Sequence, residues 1–280
     1  TAFVGKTADF TGFANALADL AIAKHITTKE DLMKADFNGQ TVEASLTEMS
    51  GKTGEKVELN GFASLEKPFV NAYNHMGNRL AVIVGFNKGG DAIAETAHEI
   101  AMQIAAMNPE YLGTDDISAD ELAKMKNIIV ESSLNKPETL PKPILFKLLD
   151  KCASEKLWSD EDIAAYNEQK NNKFLFNFLS KEAVAKLAEL AVAGKEEYAN
   201  DKIFAGAVEG RLKKQLKEIC LLEQPFVRSD LFDGSVGGYI EKVAKDLGAD
   251  IKAVKFLRYA KGEGIQKRED NFADEVASMM

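Results

Sequence analysis

Reactive side chains are sparse in this sequence, and their spacing restricts the chemistry open to them. Gly85 to Asp91 reads GFNKGGD between a strand-like and a helix-like run, where phosphate loops sit. The stretch lacks the Walker spacing and its Lys-Ser/Thr pair, so it reads as a turn. Gly262-Glu263-Gly264 is too short to say more. His25, His75 and His98 show no ligand spacing to one another or to Cys152 and Cys220. Asp115-Asp116 and Asp160 to Asp162 depart from the calcium-loop pattern, and no nucleophile elbow is present. These residues point away from an enzyme and imply neither a metal nor a cofactor. Recognition chemistry is what remains. His75 falls at a hairpin tip, where a side chain is exposed to a partner or is simply a polar turn residue. Phe3 precedes a helix. Buried, it is core; exposed, it is a wedge that carries much apolar area at little entropic cost.

The elements that position these residues follow from periodicity. Phe10, Phe13, Ala14, Leu17, Leu20 and Ala21 recur at helical spacing, with Asp9 as a candidate N-cap. Thr27 or Thr28 caps a short helix, Thr28 to Lys34. From Thr41 to Asn87 the character changes. Val57, Leu59, Gly61 and Ala63 alternate with Glu58, Asn60 and Phe62, Val70 to Tyr73 is extended, and Arg79 to Phe86 is a buried strand. His75-Met76-Gly77-Asn78 joins the last two as a hairpin turn in which Gly77 can take positive φ. Asn87 to Asp91 leads into a helix over 92–107, ended by Asn108-Pro109. Ser118 to Leu216 is almost wholly helical, with a Ser118/Glu121 capping box and breaks at Pro137 to Pro143, Trp158-Ser159, Asn171-Asn172 and Gly194-Lys195. Val236 to Leu247 is a helix, and Asp250 to Tyr259 is a strand that returns to the earlier sheet. A short amphipathic helix carrying Phe272 closes the chain.

Composition bounds the setting. The chain has 280 residues, 45% hydrophobic and 28% charged, which fits one or two soluble domains and excludes disorder. A net charge of −9 argues against a general grip on phosphate backbones, so no direct nucleic-acid partner is expected. No apolar run reaches the roughly 18 residues of a membrane span. Two cysteines cannot build a disulfide framework, which suits a reducing, cytoplasmic location.

Several motifs, in order, resemble translation elongation factor Ts. They are TAFVGKTADFTGFA at the front, NAYNHMGNRLAVIV (71–84), HEIAMQIAAMNPEYL (98–112), VEGRLKK (208–214), LLEQPFV (221–227) and FLRYAKGEGIQKREDNFADEV (256–276). The fold this implies is α+β: antiparallel sheets with packed helices in two related subdomains, interrupted by a long helical, coiled-coil-like insertion. The expected organisation is an N-subdomain over 1–70 and a C-subdomain over 71–112 and 220–262. A helical arm spans 113–219, and a C-terminal helical module 263–280. The family has a small three-helix domain and a sheet segment ahead of the Thr-Asp-Phe-Val stretch. This sequence contains neither, so the expectation is a chain without its front part and an edge at Val57 to Leu65 that needs cover.

The resemblance implies guanine-nucleotide exchange on elongation factor Tu, bound in its GDP-loaded and nucleotide-free states, without covalent chemistry. Phe3 stands at the family's wedge phenylalanine and Val4 beside it. Ala2 replaces the usual aspartate, which removes a charged contact. His75 stands at the hairpin histidine that reaches Tu. Val227 and Arg228 follow the QPF segment near the contact surface, and Phe272 belongs to the C-terminal docking module. The longer arm leaves a second reading, a scaffold or chaperone-like binder without exchange, and self-association through the arm as a further option.

Overall fold

The structure, a computed structural model, describes Thr1 and residues 3–264; Ala2 and the stretch from 265, which holds Phe272, lie outside the described residues. The chain divides into two units. One comprises Thr1–Ala105 and the chain from Val243 onward, the other Ala106–Lys242. Residues 1–70 share a unit with the hairpin that follows them, and 220–242 go with the helical segment.

The first unit opens with a 3-10 turn, Val4–Lys6, and helix α1, Ala8–Ala23. Thr7 caps α1 rather than Asp9: its backbone is extended and its hydroxyl accepts the Phe10 N–H. Asp9 falls in the first turn, where its charge suits the helix N-terminus. Of the two candidate caps it is Thr28 that caps the short helix α2, Lys29–Lys34. Strands β1 (Asp36–Phe37) and β2 (Gln40–Thr41) form a two-residue ladder. Thr41 then caps α3, Val42–Thr53, which stops at Gly54 in the left-handed region. Leu17, Ala21, Ile26, Leu32, Val42 and Leu46 bury one another in a core flanked by Phe13, Val57, Leu59 and Phe62.

The alternating segment after α3 carries no ladder. Val57 and Leu59 are half-buried while Glu58 and Asn60 are exposed, yet the segment pairs with no strand among the described residues. Burial alternates because Val57, Leu59 and Phe62 turn toward this core, while Gly61 and Leu65 lie against a sheet. That sheet holds β3 (Phe69–His75), β4 (Leu80–Phe86) and β5 (Ala253–Ala260) in the order β3-β4-β5, all antiparallel. Tyr73 faces Val82, which faces Arg258; His75 faces Leu80, which faces Ala260. Val82, Val84 and Phe86 put one sheet face in the dry interior. The other face carries Gly85, where an added Cβ would lie 2.7 Å from Lys67 Cγ and 3.1 Å from Leu65 Cδ2. A glycine is required there because the preceding segment presses on the strand. Helix α4, Ala94–Met107, crosses the boundary between the units and ends at Asn108, which has φ 48°.

The second unit is helical: α5 (Ala119–Asn135), α6 (Lys142–Ser154), α7 (Asp160–Gln169), α8 (Lys181–Ala193), α9 (Lys195–Ala199) and α10 (Lys202–Ile219). The prolines fall between α5 and α6 or in the first turn of α6, as the sequence requires. These helices bury Leu134, Leu149, Trp158, Tyr166, Leu187 and Phe204 in one core. The Ser118/Glu121 capping box forms only by half. Ser118 accepts the Glu121 N–H, but the Glu121 carboxylate accepts from the Tyr111 hydroxyl at 2.7 Å instead of turning back. Asp162 ties two helices together. It accepts from the Ser159 hydroxyl at the start of α7, and from the Ser180 N–H and hydroxyl at the start of α8. Helix α11, Val236–Asp246, leads back to the first unit.

Candidate functional site

Phe3 sits on an anchored turn. Its carbonyl accepts the Lys6 N–H at 3.1 Å, and the Gly5 N–H reaches the Thr1 carbonyl at 3.1 Å. The Thr7 hydroxyl donates to the Val4 carbonyl at 2.8 Å, joining the turn to the α1 cap. On the other side the Thr1 hydroxyl donates to the Glu55 carboxylate. Val4 is buried while Phe3 is 81% exposed. A large aromatic on an ordered turn, held from both sides and facing water, has no packing reason to be aromatic. Sequence patterning leaves Phe3 open between core and surface; the structure resolves it as surface.

His75 ends β3, and its carbonyl accepts the Arg79 N–H at 3.1 Å. Met76, Gly77 and Asn78 take φ values of 50°, 63° and 63°. Three left-handed residues in succession turn the chain tightly, and Gly77 does so without Cβ strain. The imidazole is exposed, and Met76 beside it is exposed too. His75 Nδ1 lies 2.8 Å from the Tyr73 hydroxyl. The Tyr73 ring in turn meets the edge of His98 on α4, with centroids 5.3 Å apart and planes at 86°. Sequence reasoning passes over Tyr73, His98 and Met76. The i, i+2 spacing of Tyr73 and His75 is the available signal, since it puts both on one strand face; nothing local reveals His98.

Val227 and Arg228 belong to the other unit, in the loop that leads to α11. The Phe226 N–H donates to the Gly234 carbonyl at 2.9 Å, and the Phe226 ring stacks on Tyr239 at 4.3 Å. This holds the base of the loop, with Val227 exposed above it. The Arg228 guanidinium binds Asp230 through Nε and Nη2 at 2.9 and 2.8 Å, and holds that carboxyl below its usual range. Arg228 is thus part of the loop's own fork-like ion pair.

The rejected motifs have structural duties. Asn87 of the GFNKGGD run donates to the Asp250 carbonyl at 3.0 Å and accepts the Lys252 N–H at 2.7 Å, tying the end of β4 to the approach to β5. Glu263 of the Gly-Glu-Gly turn accepts the Ala260 N–H at 2.8 Å. Cys152 and Cys220 are buried, and burial pushes each thiol up to about 11. Such thiols are poor nucleophiles. Among the described residues no three His, Cys, Asp or Glu side chains gather as a metal site, and no helix is long and apolar enough to cross a membrane. The first unit also holds a groove of about 730 Å³, lined by Phe10, Phe13, Leu17, Leu59, Phe62 and Tyr259. Its lining is mainly apolar, with Glu58, Arg258 and Glu263 also on its walls.

What the surface offers is an exposed aromatic on a braced turn and an exposed imidazole hydrogen-bonded to Tyr73. The family model described as Elongation factor TS matches residues 1–160 and 156–263. The elongation factor Ts of Clostridium perfringens (strain SM101 / Type A) is 31% identical over 284 residues, covering 100% of this chain and 73% of the relative. That of Clostridioides difficile (strain 630) is 32% identical over 287 residues with the same coverage. That of Parabacteroides distasonis is 33% identical over 263 residues, covering 92% of this chain and 75% of the relative.

Proposed function

The chain belongs to the elongation factor Ts family, and from that premise we propose that it promotes GDP release from elongation factor Tu during translation elongation, in the cytoplasm. The family match along the chain is the observation that carries this reading. The exposure of Phe3 and His75 supports it, because both are available to a partner at no cost to the fold.

Exchange of this kind needs no bond to be made or broken by the factor. The factor and GDP each weaken the other's hold on Tu, and the coupling is the same in both directions. Typical couplings run about 1–3 kcal/mol, or about 5- to 150-fold. Burying one Phe ring contributes roughly 1.5–3 kcal/mol. A single ring that docks only where the nucleotide's phosphate and magnesium contacts have moved therefore has the required magnitude. The ring must be bound better by the nucleotide-free state than by the GDP state, since equal affinity for both would shift nothing. In this proposal Phe3 is the wedge, Val4 is its buried anchor, and Ala2 supplies no charge beside it. His75 is the second contact, and Val227, Arg228 and Phe272 are further Tu contacts that the resemblance implies.

The test is direct. Tu loaded with a fluorescent GDP is mixed with excess GDP and a small amount of this protein. Acceleration at sub-stoichiometric protein is expected; release that stays at the intrinsic rate with micromolar protein rejects the proposal. Deleting the helical arm separates the readings further. Exchange that survives makes the arm accessory, whereas binding to Tu without any exchange by the full chain favours a scaffold.

A further inference from the structure

We propose that Tyr73 is the positioning residue for His75, fixing which imidazole nitrogen is turned toward a docking partner. The inference rests on the exchange reading, because only that reading gives His75 a partner.

Tyr73 is well held. Its backbone pairs with Val82, the interior residue of the central strand, and its ring is braced edge-on by His98 of α4. His75 is not held in this way. It is exposed, it ends its strand, and the next three residues are a left-handed turn. The one side-chain hydrogen bond of His75 among the described residues is the 2.8 Å contact from Nδ1 to the Tyr73 hydroxyl. The rings lie 5.7 Å apart with a tilt of 37°; the phenol meets the imidazole at Nδ1, and the exposed ring has no Nε2 partner among the described residues. An exposed histidine without such a partner samples several rotamers and both tautomers. A hydrogen bond to a fixed group selects one of each.

Which nitrogen carries the proton is set by the bond the other nitrogen makes. A phenol can donate or accept. Its oxygen is the poorer acceptor, because a lone pair is conjugated with the ring, whereas an unprotonated imidazole nitrogen is a good one. The Tyr73 O–H therefore donates to Nδ1. The neutral ring then carries its proton on Nε2, at the open edge, and His75 meets its partner as an N–H donor seeking a carbonyl or other acceptor. Without Tyr73 the same side chain would present a bare acceptor part of the time and would have to be ordered on docking.

Tyr73→Phe tests this, because it removes the hydroxyl and keeps the ring that packs on His98. The full chain, labelled with 15N-histidine, is recorded in long-range proton–nitrogen spectra at pH 8. Wild-type His75 should show an unprotonated Nδ1 and a protonated Nε2. In Y73F it should move to a mixed pattern, while His25, which lies beside Glu66 instead, stays unchanged. Acceleration of GDP release from Tu should fall about three- to tenfold, the equivalent of one hydrogen bond. The Y73F/H75A double variant should be no slower than H75A, because the two residues act as one. The proposal is overturned by a protonated Nδ1 in wild type, by an unaltered His75 pattern in Y73F, or by losses that multiply in the double variant. If wild-type protein fails to accelerate release, the exchange reading falls on its own, and the nitrogen spectra still decide the role of Tyr73.

Discussion

Replacing Phe3 with Ala separates binding from folding. The ring is 81% exposed, so truncating it removes almost no buried area from the free protein. The unfolding midpoint should move by no more than a surface substitution moves it, within about 0.5 kcal/mol. The cost appears only in the complex. A ring that becomes fully buried on Tu loses roughly 1.5–3 kcal/mol when truncated, and each 1.4 kcal/mol is a factor of about ten. Exchange at limiting protein should therefore fall about 10- to 150-fold. Val4→Ala is the companion measurement. Val4 is buried, so its loss should cost stability of roughly 1–2 kcal/mol and weaken exchange only through the turn that carries Phe3. The assay is fluorescent-GDP release from Tu across a titration of each variant, with urea unfolding of the same preparations. Wild-type exchange by F3A would refute the wedge assignment. Loss of stability in F3A as large as in V4A would refute the reasoning from exposure.

Three further outcomes test the helical unit. Asp162→Ala removes the acceptor shared by the starts of α7 and α8 and should destabilise this unit by about 2–4 kcal/mol. The lone tryptophan, Trp158, is buried beside it and reports the change by fluorescence during urea unfolding. Burial alone would raise the Asp162 carboxyl, but the Ser180 N–H and the Ser180 and Ser159 hydroxyls outweigh it and hold the group low. Its contribution is therefore complete above the usual value of 3.8 and disappears as pH falls through the lower folded value, a slope that Asp162→Asn should flatten. Tyr111 behaves in the opposite sense. The hydrogen bond to Glu121 and then burial push its hydroxyl up to about 12, so its contribution is complete below pH about 10 and is lost as pH rises toward 12. Alkaline unfolding of Tyr111→Phe should lack that component. Cys152 and Cys220 should resist Ellman's reagent at pH 8 and react, two per chain, in denaturant; rapid native reaction would contradict their burial.

Much of this molecule is written in local patterns. Helical spacing from Phe10 to Ala21, the caps at Thr28 and Ser118, the proline breaks at 137–143 and the Gly77 turn each concern a few neighbouring residues, and backbone sterics and hydrogen bonding act at that range. Motif order along the chain was likewise enough to name the family. Other features were not legible. Helix α3 lies in a stretch whose polar face and weak periodicity hid it. Thr7 displaced Asp9 as a cap because the preceding turn sets its backbone. Val57 to Leu65 alternates like a strand but pairs with none among the described residues, so its alternation reflects burial and not pairing.

The residues of the candidate site divide in the same way. Sequence alone placed His75 at a hairpin tip, because turn chemistry is local. It could not say whether Phe3 faces water or the core, since both its neighbours and its type permit either. Only the folded chain brings His98 of α4 to the ring of Tyr73, turns Glu121 to Tyr111, and sets Ser180 against Asp162 across 18 residues. The physical reason is common to all three. Periodicity tells a segment which side to bury, but the identity of the partner on that side is decided by packing between segments distant in the chain.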